Sequence, residues 1–223
     1  MLRGWIVSAT LVLAACSSEG LRTDNPLALA AERIVARVSP AAPTAASVDA
    51  RDVLDAEIVA GAKTPLLLLV VERTDRALTL IPAASRRGTV QWRDGQGGGL
   101  IRRGGVLVGT RGLGFDLMTA DVAGLRRALR SGGGRGVVRV NRHLSGENEI
   151  VALRYACDVV PTGRQTLDFY GSIHRATVFE ERCAGDGPPF VNTYWVEADG
   201  TVRRARESVS AEIGMVVLNL LKG

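Results

Sequence analysis

The stretch that decides the fold runs from residue 189 to residue 206: Pro189-Phe-Val-Asn-Thr-Tyr-Trp-Val196, Glu-Ala-Asp-Gly200, Thr201-Val-Arg-Arg-Ala-Arg206. Two runs of strand-forming residues flank Ala198-Asp199-Gly200, and an Asp-Gly pair between such runs signals a tight hairpin. Successive side chains of a strand alternate between its faces. Phe190, Asn192 and Tyr194 therefore share one face, and Trp195 takes the other.

Outward from this hairpin the same pattern repeats. Downstream, Ile213 to Leu221 reads as a strand. Upstream, strands are expected over Gly136–His143, Glu149–Cys157, Thr166–Tyr170 and Arg175–Cys183. Earlier still they are expected over Leu66–Val71, Ala77–Pro82, Thr89–Arg93, Gly99–Arg102 and Val106–Thr110, with a turn at Asp94–Gly98 and a hairpin about Arg103-Gly104-Gly105. Leu66–Val71 is continuously apolar and short enough for a buried strand. The intervals are only a few residues long, which favours antiparallel neighbours over parallel strands joined by helices. One helix is expected over Phe115–Arg130, with Leu117, Met118, Val122, Leu125 and Leu129 on one face and Asp121 as a first-turn acid; Ser131 to Gly134 stop it. The expected fold class is all-β dominated: an antiparallel meander barrel or sandwich of about eleven strands, with one internal helix and a short N-terminal helical segment.

The chain opens MLRGWIVSATLVLAA and then Cys16. Arg3 supplies a positive start. The apolar run that follows is about a dozen residues, short of the roughly 20 needed to cross a hydrocarbon core. Leu13-Ala14-Ala15-Cys16 places small residues before a thiol, the pattern of a lipoprotein signal peptide cleaved at a cysteine that carries lipid. Residues 1–15 are thus expected to be the signal peptide, and Cys16 the lipidation site. Two or more acyl chains hold a protein on a membrane stably, and Ser17 after the cysteine allows passage to the outer membrane. The expected location is the periplasmic face of the outer membrane. Residues 16–48 read as a tether, a short helix over Leu27–Val38 after Asn25-Pro26, and a linker, Ser39–Ser47. Residues 49–223 form the β domain, with a second short helix over Asp49–Ala60.

Apart from Cys16 there are two cysteines, Cys157 and Cys183. In an oxidising compartment an even pair is expected to form a disulfide, the alternative being two reduced, buried thiols. The net charge of +5 comes from a chain rich in arginine and poor in aromatic residues. Without a basic run interleaved with aromatics it does not fit nucleic acid, whereas a mildly basic exported surface suits an acidic glycan or anionic head groups.

A search for reactive chemistry finds little. The Gly-rich stretch Val106 to Gly114 lacks the lysine of a phosphate loop and the acidic residue of a dinucleotide site, so no cofactor is expected; Gly112 and Gly114 read as a strand-to-helix turn. GxSxG and HExxH are absent, and His143 and His174 have no metal spacing. His143 with Asp121 and Ser145 could form a nucleophile set, and Glu147, Glu149, Glu180 and Glu181 could supply a glycosidase pair, yet the spacing favours neither over a solvated face. The aromatic cluster offers more. Phe190, Tyr194 and Trp195 with Asn192 could contact a glycan through stacking and amide hydrogen bonds, the alternative being that Phe190 and Tyr194 pack in the core.

Several segments together resemble a known family: Thr110-Arg-Gly-Leu-Gly114, Asp116-Leu117-Met118, Ala120-Asp121-Val122, Val140-Asn-Arg-His143, Arg154-Tyr-Ala-Cys157, Glu181-Arg-Cys183 and Phe190-Val-Asn-Thr-Tyr-Trp195. They are similar to the YjbF-type lipoproteins, which include the GfcB-type lipoproteins of group 4 capsule and exopolysaccharide operons. The likeness covers nearly all of residues 60–221 together with the lipidation motif. It implies an all-β outer-membrane lipoprotein serving secretion or assembly of surface polysaccharide, and it carries over no catalytic residue. Relatives tend to have a Trp-rich strand after the hairpin where this chain has Val202 to Ser208, so contact there would be ionic, through Arg203 and Arg204. The expected function is a non-enzymatic accessory that binds a glycan or an export-machinery partner, with Asn192, Tyr194, Trp195, Arg203 and Arg204 as contact candidates. Its other partner is outer-membrane lipid, reached through the N-terminal acyl chains. The rival expectation is a lipid or lipoprotein carrier whose curved sheet holds acyl chains.

Overall fold

The computed structural model describes residues 48–223. The expected signal peptide, Cys16, the tether and the helix over Leu27–Val38 lie outside the described residues. Twelve strands form one antiparallel sheet: β1 (Leu66–Val71), β2 (Arg76–Arg86), β3 (Thr89–Arg93), β4 (Gly99–Arg103), β5 (Val106–Arg111), β6 (Leu117–Asp121), β7 (Gly134–Leu144), β8 (Ile150–Phe169), β9 (Ser172–Gly185), β10 (Phe190–Val196), β11 (Val202–Ser210) and β12 (Gly214–Lys222). The spatial order is β5-β4-β3-β2-β1-β12-β11-β10-β9-β8-β7-β6, so the first strand pairs with the last. The two edges, β5 and β6, meet without a ladder. The Leu117 amide donates to Thr110 Oγ1 at 2.9 Å. A Cβ on Gly109 would lie 3.2 Å from the Met118 carbonyl oxygen. The sheet is thus a nearly closed up-and-down barrel, of the expected class.

One strand that was not expected comes from the segment read as the start of a helix. Residues 117–121 are β6, paired with β7, and only Ala123–Ser131 is helical (α3). The seam between β5 and β7 has to be filled, and that tertiary demand overrides the helical spacing of Leu117, Met118 and Val122. Asp121 accordingly sits before the helix, where its Oδ1 accepts from the Ala123 amide at 3.0 Å. The Gly-rich stretch leads from strand to strand rather than from strand to helix. Asp116 ties it down by accepting from Thr110 Oγ1 at 2.6 Å and from the Gly112 amide at 2.9 Å. Gly132, with φ of 83°, ends α3 as expected. The helix buries Leu125, Ala128 and Leu129 and closes one end of the barrel, with Arg126 against Gly104 in the β4–β5 turn. At the other end, the β5–β6, β7–β8, β9–β10 and β11–β12 connections themselves contain no helix.

The continuous apolar run of β1 is explained by layers on both sides. Leu67, Leu69 and Val71 join the barrel core with Leu80, Trp92, Leu100, Tyr194 and Leu218. Leu66 and Leu68 face outward beneath a second layer containing Ala50, Leu54, Val59, Leu167 and Phe169. Part of that layer is helical. The single helix expected over Asp49–Ala60 is two, α1 (Ala50–Val53) and α2 (Ala56–Gly61), because Asp49 and Asp55 each cap a new start. Asp55 accepts from the Ile58 amide at 2.7 Å. Replacing Asp55 with alanine is expected to lower stability by about 1 kcal/mol, seen as a drop in the urea midpoint at unchanged slope.

The rest of the outer layer is the end of a long hairpin. The two strands expected at 149–157 and 166–170 are one strand of 20 residues, β8. At about 3.3 Å per residue it extends roughly 65 Å. Pro161 and Gly163 mark only an irregularity in its pairing with β9. The arm turns at Tyr170-Gly171, whose φ values of 54° and 88° meet the two-residue turn requirement. It then lays Leu167 and Phe169 over the outside of the barrel. Cys157 and Cys183 stand opposite each other on β8 and β9 and form a disulfide, buried beside Tyr155 and Phe190.

Candidate functional site

The period-two rule places Trp195 and Arg204 on the outer face of β10 and β11, where they are register partners. The β8–β9 arm reaches them there. Trp195 Nε1 donates to Gln165 Oε1 at 2.6 Å. The Arg204 guanidinium lies 5.1 Å from the Phe169 ring centre and 5.5 Å from that of Trp195. It also donates to Asn219 Oδ1 at 2.6 Å. Partial burial pushes the Arg204 pKa down. The His174 ring is 5.7 Å from Phe169, and Nδ1 of His174 is 3.0 Å from Glu197. Glu197 in turn pairs with Arg203 at 2.6 Å. Trp195, Arg203 and Arg204 are therefore linked in one chain of contacts, with Trp195 and Arg204 half-buried and Gln165 exposed. Chemically the patch offers a ring face, a guanidinium and an amide, the set that binds a hydroxylated or acidic ligand.

The other two contact candidates are elsewhere. Asn192 and Tyr194 are each 0% exposed and face the barrel interior, so a glycan on the surface cannot reach them. There they belong to a buried charged network. Arg139 of β7, also 0% exposed, donates to Glu181 Oε2 at 2.9 Å and to Asn141 Oδ1 at 3.0 Å. Tyr194 O–H lies 3.0 Å from both Glu181 Oε2 and Glu207 Oε2. Asn192 donates to Glu181 at 2.7 Å and accepts from the Ser208 amide at 2.8 Å. Glu207 accepts from the Leu107 amide at 3.0 Å. Burial raises the Glu207 carboxyl above its ordinary value, although Arg139 and the Leu107 amide oppose the shift. Burial and the two carboxylates push the Tyr194 phenol well up, so it remains a donor. Burial works against the charge of Arg139, yet Glu181, Tyr194 and Glu207 outweigh it and keep the guanidinium charged. Arg102 bonds to the Gly105 carbonyl, lacks an equally close carboxylate, and falls to about 10 through burial.

Sequence reasoning missed Arg139, Asn141 and Glu207 because Arg139 and Asn141 alternate with valines and Glu207 follows an arginine-rich run, so all three read as a solvated face. No signal in the sequence reverses that reading: Val138, 43% exposed, takes the outward parity that a valine does not announce.

The remaining chemical candidates do not converge. The register sets His143 opposite Leu117 and Asp121 opposite Val140, so His143 does not face Asp121 across the ladder. Glu147 and Glu149 are exposed, Glu180 pairs with Arg182 on the surface, and Glu181 lies in the interior. The Glu181 carboxylate and both cysteine sulfurs lie within 4.8 Å of one another, but the sulfurs are joined in the disulfide.

The open end holds a pocket of about 610 Å³. Asn141, His143, Tyr155, Phe190, Ser208 and Met215 are among its lining residues. Tyr155 and Phe190 meet edge to face with centres 4.9 Å apart. The Arg139 guanidinium stands 5.8 Å from the Phe190 ring centre.

Over residues 32–221 the sequence matches the family described as group 4 capsule polysaccharide lipoprotein GfcB, YjbF. Comparison with curated proteins gives no significant match. Among solved structures, the hypothetical lipoprotein YmcC from Escherichia coli K12 has a similar fold, with a TM-score of 0.67 at 21% identity. The alignment covers 76% of this chain and 89% of that one.

Proposed function

The chain belongs to the YjbF family of group 4 capsule polysaccharide lipoproteins, and from that membership we propose that it is an accessory to capsule or exopolysaccharide secretion or assembly. It is held at the periplasmic face of the outer membrane by acyl chains on Cys16, and residues 16–48 lead to the β domain of 49–223. The family is associated with capsule and is not a known enzyme family. The chain itself works by binding rather than by catalysis.

The observation that carries the binding reading is the outer-face patch, where the half-exposed Trp195 ring is flanked by the Arg204 guanidinium and the Gln165 amide. It is the contact surface for a glycan or for a protein of the export machinery, with Arg203 fixed beside it by Glu197. An acyl-carrier reading would need an apolar lumen, but the middle of this barrel is occupied by Arg139, Glu181, Tyr194 and Glu207. Buried charges of that kind favour ionic and hydrogen-bonded partners over a hydrocarbon chain.

The test begins in cells. Deletion of the gene is expected to change the amount or chain length of secreted polysaccharide, and Trp195→Ala combined with Arg204→Ala is expected to reproduce the deletion at normal protein level. Binding of purified polysaccharide by the double variant should weaken about tenfold or more, the loss of about 1.4 kcal/mol. Unchanged quantity and length in the deletion strain would reject the accessory role. A normal double variant would reject the patch.

A further inference from the structure

Among the described residues, most of the exposed large apolar side chains gather at the open end of the barrel. Phe115 (60% exposed) lies in the β5–β6 connection, Leu144 (47%) ends β7, Ile150 (62%) and Val151 (41%) begin β8, and Val191 (42%) is the second residue of β10. All except Ile150 line the pocket there. A contiguous greasy rim on a folded domain marks a surface that meets something apolar.

The entry of the chain indicates what that is. Asp49 accepts from the Ala77 amide at the start of β2, at 3.0 Å, and Arg51 pairs with Asp75 in the β1–β2 turn at 2.8 Å. The next residues are bonded to the β11–β12 turn: Arg73 donates to the Ala211 carbonyl at 2.9 Å, and the Glu72 amide donates to that of Met215 at 3.1 Å. Ser210 to Glu212 and Met215 line the same pocket. The chain therefore enters the domain at the open end, beside the rim, and away from the end closed by α3.

We infer that the open end of the barrel seats on the lipid bilayer, with Phe115, Leu144, Ile150, Val151 and Val191 in the lipid interface. This rests on the reading that the chain is anchored upstream, at Cys16. A tether that enters at the open end holds that end near the membrane at high local concentration, so even a modest apolar contact fixes the orientation. Glu147 and Glu149 in the β7–β8 connection stand next to Ile150, so the contact is apolar and does not depend on anionic lipid. With this end down, the Trp195–Arg204 patch on the side of the barrel stays open to the periplasm.

The test uses the mature chain from Cys16 on vesicles of phosphatidylethanolamine and phosphatidylglycerol. It is attached through its native acyl groups or, where intact mass shows Cys16 unmodified, through a maleimide lipid on the same thiol. Ile150→Trp and Arg127→Trp variants place an added indole at the open end and on α3, and lipids with brominated acyl chains quench indoles that reach them. Quenching of the added fluorescence is expected to be about twofold or more greater for Ile150→Trp. Changing Phe115 and Leu144 to aspartate in the Ile150→Trp variant should remove the excess. Equal quenching at the two positions overturns the seating. The intact mass reports separately on the anchoring reading.

Discussion

Replacing Arg139 with methionine is expected to destabilise the protein by about 3–5 kcal/mol, because it leaves two buried carboxylates without their cation. Arg139 is fully buried and lies 2.9 Å from Glu181 and 4.0 Å from Glu207. The methionine fills much of the same volume, so the loss is electrostatic rather than a cavity. Changing Glu181 to glutamine in the same chain should recover part of it, and with the Glu181→Gln single variant the double-mutant cycle gives the coupling between the two residues. A pH signature separates this from ordinary misfolding. The Glu207 carboxyl is already raised above 4.5 in the folded protein. The folded state therefore binds this proton more tightly than the unfolded state, and stability falls as the pH rises through the folded value. Removing Arg139 takes away a cation that lowers that value, so the window widens upward. The urea midpoint of Arg139→Met should consequently drop more between pH 5 and pH 8 than that of the parent. Equal drops would show that Arg139 does not hold these carboxylates.

Reducing the Cys157–Cys183 disulfide, or replacing both cysteines with alanine, is expected to cost about 3 kcal/mol. The bond spans 26 residues of sequence, and releasing that loop restores entropy to the unfolded chain. The cysteines are direct partners across the ladder and pack with Tyr155 and Phe190, so the loss extends to the wall of the open pocket. Denaturant unfolding with and without dithiothreitol measures it. The double-alanine variant should match the reduced parent and be indifferent to reductant. A parent whose midpoint did not move under reduction would sink the prediction.

Much of the fold was legible. The hairpin at Asp199-Gly200, the strand of leucines at 66–71 and the close spacing of the remaining runs are local signals, and the barrel follows from them. The errors came where a distant partner decides. Residues 117–121 carry helical spacing, but they become a strand because β7 and the β5 edge need a neighbour. Pro161 and Gly163 look like a break, yet pairing with β9 carries the strand through them. The proposed contact site was half legible for a related reason. Alternation gives the parity of a strand but not which parity faces inward. On β10 the inward set is Asn192 and Tyr194, while Val191 is turned out. Trp195 and Arg204 were on the exposed parity, but Gln165 and Phe169 arrive from a folded-back arm that no local pattern announces.

The pairing of β1 with β12 sets when the barrel can close. Each ladder runs between strands adjacent in sequence except this one, which joins Leu66–Val71 to Gly214–Lys222. Strand β12 leaves the ribosome after all the others. Until it arrives, β1 and β11 are open edges able to pair with a neighbouring chain. Closure therefore makes a contact of very long sequence separation the last event, a slow step by loop-closure entropy. Loss of even a few residues near Leu218 would leave a chain arrested as an open sheet, prone to associate with its own copies instead of folding.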